Sequence, residues 1–443
     1  MADSGHQNVL ARAVIKSAYI YNTVSGKQVS VVGNLMNIDI YEDIYSPFVY
    51  CDLILIDYNS VAKQFPLMGE EYFVLSFNSI GGKQINYHFL LYKNDTGGMT
   101  PTNSAKGYIL RGVTLERAFD TGKTVSSAYT GTYSRIAGQI FDDYIKKDTG
   151  GLDFNYEPSK SVQRYVVPQV SPLSAIEYCR SRAVSTSAAK SPFVFFRNSE
   201  GYTFMSMNGL FNKNAAAPSA QITHRYAPRS LPAEFNESGD AGSKVDIVSF
   251  DIVAYYDTMS KIDKGAFNTH TYTFDLTTKA FVLRKQYNLS DNADTFQLGG
   301  GSQYNRSSFT SLFSNTRCAA MYVPTNTSLE VNGDQSTQKD FFPDHMGEMM
   351  AYINLVSEYN IHYTMYGDSN VTAGQVMKIS VPQAQEESPG TTSKYKQDAM
   401  YSGNFLCARV VHMLTFNENV DYYVRVSAIN GARSKSVEDI QNG

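Results

Sequence analysis

The sequence predicts a β-rich multidomain α+β protein: two similar antiparallel β-barrels, a small α/β domain and an irregular insertion. Three observations lead there. Tyrosine and phenylalanine are abundant, at 32 and 25 residues, while tryptophan is absent, and such rings suit pleated, half-buried surfaces. Runs of apolar residues recur at hairpin-like spacing, punctuated by Gly, Asn, Asp and Pro. Finally, the stretch from Val49 to Phe77 joins a strand (VYCDLILID), a polar link and a second strand (EYFVLSF), and it has a late echo in IHYTMYGDSNVTAGQVMKISVP, Ile361 to Pro382. The echo points to a distant internal duplication, with a period too long for a solenoid.

A chain of 443 residues has room for roughly two to four domains. Hydrophobic residues make up 42% and charged residues 18%, a globular balance. The formal net charge of -4, without any cluster of Lys and Arg, excludes a general nucleic-acid binder and an electrostatic membrane binder. The start, MADSGHQNVLARAVIKS, lacks a signal-peptide core, and the longest apolar runs, such as Leu53 to Ile56, are far too short to span a bilayer. A soluble protein made in the cytoplasm, without membrane anchor, is expected. Cys51, Cys179, Cys318 and Cys407 are scattered with no C-x-x-C pair, which predicts buried free thiols.

The first barrel is expected over residues 10–115. Its strands are VIKSAYIYNTV, KQVSVVGNLMNIDIYED, FVYCDLILID, EYFVLSF, INYHFLLYKN and GYILRGVTLE, with Gly81-Gly82 as the clearest hairpin turn. The small α/β domain is expected over 116–208. There Ile136, Ile140, Tyr144 and Ile145 repeat at helical spacing, and the helix stops at Gly150-Gly151. A second helix begins with Ser171 as N-cap and Pro172 at its first position. PFVFFRN and YTFMSMN then form a hairpin that turns at Asn198 to Gly201.

Residues 209–244, rich in Ala, Pro, Ser and Asn, read as a linker. The second, discontinuous barrel is expected from 245–288 and 358–432, with strands resuming in VDIVSFDIVAYYDTMSKIDKGAFNTHTYTFDLTTKAFVLRKQYN, where Gly265 precedes another strand pair. Between them, 289–357 is an insertion, polar to Phe342 and ending in a helix that carries Met346, Met349, Met350, Ile353 and Val356. The tail after Ala432 is polar and expected to be mobile.

Candidate chemistry is sparse, and no catalytic, cofactor-binding or metal-ligating residue is assigned. His362 and His412 both fall on barrel strands, but no Cys or carboxylate lies at ligand spacing around them, so partly buried strand histidines are expected. Asp344 is read as a helix-start carboxylate, which leaves His345 exposed. Glu70 and Glu71 point to opposite faces of a strand and cannot converge on one bond. Glu386 and Glu387 read as a solvated loop patch. Asp291, Asn292 and Asp294 lack the spacing of a calcium loop, and Gly299 to Gly301 is not followed by lysine. Tyr255, Tyr256, Tyr422 and Tyr423 could stack sugars, but sheet core or an interface between copies is the plainer expectation.

Four passages carry a family likeness through their order. They are FVYCDLILIDYNSVAKQFPLMGEEYFVLSF, SPLSAIEYCRSRAVSTSAAKSPFVFFRNSEGYTFMSM, YDTMSKIDKGAFNTHTYTFDLTTKAFVLRKQYN, and GDSNVTAGQVMKISV with GNFLCARVVHMLTFNENVDYYVRVSAI. In that order the chain resembles the central baseplate hub protein of contractile-tailed, T-even-like bacteriophages, which is similar to the hub part of type VI secretion spike proteins. The resemblance implies that the barrels are tube-type domains. It implies a homotrimer at the virion tail baseplate, assembled in the host cytoplasm. Its implied partners are the tail tube protein, a spike or cell-puncturing protein, the C-terminus of the tape-measure protein and baseplate wedge proteins, with DNA passing through the lumen without specific binding. The alternatives are a virion-associated peptidoglycan hydrolase and a carbohydrate-binding tail adhesin.

Overall fold

The computed structural model describes residues 12–22, 25–57, 67–95, 106–147, 150–187, 191–217, 222–226, 243–253, 257–276, 278–289, 319–325, 341–356, 360–382, 398 and 401–430. Its first unit holds β1 (Ala13–Asn22), β2 (Gln28–Ser30), β3 (Leu35–Asp43), β4 (Tyr50–Asp57), β5 (Glu71–Ser79), β6 (Ile85–Asn94) and β7 (Lys106–Thr114). Period-2 alternation builds it. Ile38 and Ile40 on β3, Cys51, Leu53 and Leu55 on β4, and Phe73, Leu75 and Phe77 on β5 are all buried, while Ile54 and Ile56 are half-exposed. The β5–β6 turn includes Gly81, in the left-handed region at φ 76°.

The second unit contains α1 (Glu116–Thr121), β8 (Ala128–Gly131), α2 (Tyr133–Tyr144), β9 (Phe154–Tyr156), β10 (Gln163–Val166), α3 (Pro172–Arg182), β11 (Phe193–Asn198), β12 (Gly201–Ser206) and α4 (Met207–Ala215). Side chains cap three of its helices at the N-terminus: Thr132 accepts from the Arg135 N–H, Ser171 from Ser174 and Ser206 from Gly209. Each satisfies one of the free N–H groups at a helix start. A separate apolar core joins Ile136, Ile140 and Phe141 of α2 to Ile176 and Cys179 of α3 and to Phe195, Tyr202 and Phe204 of the hairpin.

The rest comprises β13 (Thr223–Tyr226), β14 (Ser243–Ile252), α5 (Thr258–Asp263), β15 (Asn268–Asp275), β16 (Phe281–Asn288), β17 (Ala319–Thr325), α6 (Phe342–Val356), β18 (Asn360–Tyr366), β19 (Val376–Ser380), β20 (Gly403–Phe416) and β21 (Val420–Ile429). Strands β19, β13, β14, β18, β21 and β20 follow in that order, and a β19–β20 pairing closes them into a six-stranded barrel. All its pairs are antiparallel except those of β13, which runs parallel to β14 and to β19.

The two barrel units repeat one strand order. Going around, the first reads β1-β5-β6-β7-β4-β3 and the second β13-β19-β20-β21-β18-β14. Each of these six strands therefore has a counterpart in the same relative order along the chain and around the sheet, although β1 runs antiparallel to β5 and β13 parallel to β19. In the second barrel β13 and β14, the counterparts of β1 and β3, pair with each other. Among the described residues β1 and β3 do not pair. Instead the tip of the β20–β21 hairpin covers that gap: β20 pairs with β3 from Arg409↔Asp43 to Thr415↔Asn37, and Arg12 bridges to Asp421. One long hairpin thus belongs to both barrels, and a single apolar core runs through them.

The structure differs from the expected layout in three places. The 209–244 segment holds the end of α4 and strand β13, so a barrel strand lies inside the expected linker. Strands β15 and β16 do not join the second barrel. They form a three-stranded sheet with β17, which comes from the expected 289–357 insertion, and α6 packs on it. The run Thr258–Asp263, inside a stretch read only for its strands, is helix α5, capped by Asp257, whose side chain accepts from the Ser260 N–H. Period 2 identifies a strand without saying which sheet receives it. The N-terminal leader, residues 290–318, the 383–397 loop and the tail after Ala432 lie outside the described residues.

Candidate functional site

The three units meet at one loop, residues 367–375 between β18 and β19, which is the turn of the late echo. Ser369 and Ser79 each donate a backbone N–H to the other's hydroxyl, at 3.0 and 3.1 Å, and the Ser369 hydroxyl donates to the Lys83 carbonyl at 2.6 Å. Lys83 N–H donates to Asn370 Oδ1. The fit requires Gly82, because a Cβ there would lie 2.2 and 2.3 Å from the Ser79 and Ser369 hydroxyl oxygens. From the second unit, Asn198 Nδ2 donates to the Ala373 carbonyl and Asn214 Nδ2 to that of Gly374, at 2.9 and 2.6 Å. Gly374 has φ +89°, and a Cβ on it would strike the Phe196 ring.

At the centre of this junction lies a buried carboxylate, Glu42 of β3, with no solvent exposure. Its Oε1 accepts from the Tyr87 hydroxyl at 2.6 Å and the Ser199 N–H at 3.1 Å. Its Oε2 accepts from the Thr372 hydroxyl at 2.6 Å and the Ala373 N–H at 2.9 Å. His412 Nε2 stands 3.8 Å from Oε1, and His412 Nδ1 shares a 2.8 Å hydrogen bond with the Tyr422 hydroxyl. Burial pushes the Glu42 carboxyl up, but the His412 imidazole and the Thr372 and Tyr87 hydroxyls outweigh it and hold the group below the ordinary carboxylate value. Burial beside this anion raises the Tyr87 phenol well above its usual value. Arg197 lies over the Tyr87 ring, 5.7 Å from its centroid, and makes a buried ion pair with Glu116 of α1. A polar chain from Glu116 to Tyr422 therefore crosses all three units.

Beside the junction opens a cleft of about 440 Å³ between the second unit and the loop, floored by Phe196, Met205 and Leu210 and rimmed by Lys83, Glu200 and Lys213. A second surface feature is an aromatic platform on the β15–β16–β17 sheet. Tyr272, Phe281 and Tyr322 stack with centroids 5.3 to 6.1 Å apart, and Phe281 and Tyr322 are 59% and 67% exposed.

The structure separates the residues paired in sequence. His412 is fully buried in the Glu42 network, whereas His362 is half-exposed on β18. Asp344 does lie in the first turn of α6, ion-paired with Arg284 at 2.7 Å. His345, expected to be exposed, instead bonds Glu348 at 2.9 Å with a side chain only 16% exposed, because α6 packs that edge onto its sheet. Glu71 is buried and accepts the N–H groups of Met68, Gly69 and Glu70, while Glu70 is exposed. Tyr422 is core and Tyr423 half-exposed. Tyr255, Tyr256, Asp291, Asn292, Asp294, Gly299 to Gly301, Glu386 and Glu387 lie outside the described residues. Among the described residues no three His, Cys, Asp or Glu side chains converge as metal ligands, and no helix is long and apolar enough to cross a membrane. Glu42 was missed as a site, although period 2 from Ile38 and Ile40 already places it on the buried face.

No family model and no curated protein matches the chain. Among solved structures it is similar to a tail protein from Neisseria meningitidis MC58, with 9% identity over 94% of this chain and 96% of that one, and a TM-score of 0.49. It is also similar to the 43 kDa tail protein of prophage MuSo2 from Shewanella oneidensis, with 9% identity, coverage of 94% and 98%, and a TM-score of 0.46. A third likeness is to the E. coli c3393 protein, a component of the type VI secretion system, with 7% identity, coverage of 95% and 76%, and a TM-score of 0.42.

Proposed function

We propose that this chain is a structural virion protein, the central hub of a contractile-tail baseplate, and that it acts as a homotrimer joining a sixfold tail tube to a threefold spike. One observation carries the reading: two units that share one order of six strands, held together by a common hairpin. Three such chains about one axis place six similar units in a ring, so a threefold assembly can meet a sixfold partner. The order of strand and turn passages in the sequence supports the same family. Tube protein would contact the ring on one side and spike and wedge proteins the other, with the tape-measure C-terminus in the lumen. The net charge of -4 suits a channel that must pass DNA without gripping its phosphates.

Light scattering tests this directly. The purified protein, alone or with its spike partner, is expected at three times its 49.3 kDa chain mass; a protein that stays monomeric under both conditions sinks the hub reading. The exposed platform of Tyr272, Phe281 and Tyr322 favours one other reading, a carbohydrate-binding adhesin, because flat exposed rings stack on sugar faces. Binding on a glycan array that Tyr322→Ala abolishes would favour the adhesin, and an array without signal would leave the hub.

A further inference from the structure

We propose that the Glu42 carboxylate is a lock that holds the two barrels and the small α/β unit in one fixed arrangement, and that neutralising it uncouples them. The proposal does not depend on the oligomeric state. Its basis is the origin of the donors. Tyr87 belongs to the first barrel with Glu42 itself, Ser199 to the β11–β12 turn of the small unit, and Thr372 and Ala373 to the β18–β19 loop of the second barrel. One side chain with no solvent exposure thus carries bonds to every unit.

The chemistry demands an anion. All four neighbours within hydrogen-bond distance donate, and two of them are backbone N–H groups, which cannot reverse. Each carboxylate oxygen takes one of these, Ser199 on Oε1 and Ala373 on Oε2. A glutamine amide must therefore turn its NH₂ towards one N–H or the other. Whichever way it turns, either the small unit or the second barrel faces donor against donor, and a buried donor is left unmade. Protonation disturbs one oxygen in the same way, since its new O–H must take the place of a donor and find an acceptor in a reoriented Tyr87 or Thr372 hydroxyl or in the His412 ring.

The charged and titratable groups facing Glu42 from the surrounding elements are Tyr87 on β6, His412 on β20, Tyr422 on β21 behind His412, and Arg197 on β11 above Tyr87. Behind them stand Glu116 of α1, ion-paired to Arg197, and Asp368 in the loop, which acts on Tyr422. Arg197 is already committed to Glu116, so the lock is made by hydrogen-bond donors and the His412 ring, with no cation bonded directly to it.

Hydrogen exchange read by mass spectrometry tests the proposal on the full chain. Glu42→Gln, folded by circular dichroism at pH 7, is expected to raise exchange at least tenfold in 198–201, 367–375 or both, while β4 and β7 keep wild-type protection. Unchanged protection at both segments overturns the proposal, and so does a uniform rise over the whole chain, which would mean general destabilisation. Should Glu42→Gln not fold, Thr372→Val decides. It removes one loop bond and is expected to loosen 367–375 but spare 198–201; no local change in that variant also overturns the lock.

Discussion

A charge placed on a buried strand face tests the strand assignment at the level of single residues. Leu55 and Ile379 are 5% and 0% exposed. Leu55→Asp or Ile379→Asp is expected to cost several kcal/mol, about the whole stability of a domain, because the carboxylate finds no partner. Soluble yield and urea denaturation check it, and a well-folded Leu55→Asp protein contradicts the assignment. The buried Arg197–Glu116 pair makes a sharper case. Arg197→Met strands a carboxylate and is expected to cost roughly 3–5 kcal/mol, while the double change with Glu116→Leu recovers most of it; denaturation midpoints of the single and double variants decide. Acid stability follows from Glu42. Its folded pKa lies below the ordinary 4.5, so its contribution is complete above that value and is lost as pH falls through the folded pKa. Thermal midpoints should fall in that window for the wild type and show a smaller fall for Glu42→Gln.

Among the elements, the β20–β21 hairpin does most to join the molecule. In the stretch Arg409 to Thr415, β20 pairs with β21 on one side and β3 on the other. Val411→Pro removes a donor from a strand with neighbours on both edges, at a cost of about 3 kcal/mol or more. Hydrogen exchange is expected to rise in both barrels, in β3 as well as in β21; a rise confined to the second barrel would show that the hairpin is not shared. Most strands were legible because their faces alternate, as Leu53 and Leu55 do against Ile54 and Ile56, and the α3 helix because Ser171 and Pro172 mark its start. Strand β13 was not, since four residues among Ala, Pro and Ser are too few for a period. Helix α5 is too short to show a helical period, and the alternation in β15 and β16 marks them as strands without showing that they pair with β17 outside the second barrel. The Glu42 site draws its donors from residues up to 331 positions apart, which no local pattern reveals.

For the whole molecule, the repeat of strand order gives the Val49 to Phe77 stretch its meaning. Strands β4 and β5 are not neighbours, since β7 and β6 lie between them; β18 and β19 are likewise separated by β21 and β20. The two passages match in topology, and the loop of the later one docks on the first barrel through Ser79, Lys83 and Glu42. In the proposed ring, a rigid joint between the two halves would keep the barrels level, because a hinge there would tilt one set out of plane. Electron microscopy of the purified assembly viewed end-on tests this claim most directly. A homotrimeric hub should appear as a threefold particle whose rotational power at the barrel radius is sixfold, with six densities of similar size around an open centre. A monomer, a twofold dimer, or a threefold particle with its two barrels at different radii would contradict it.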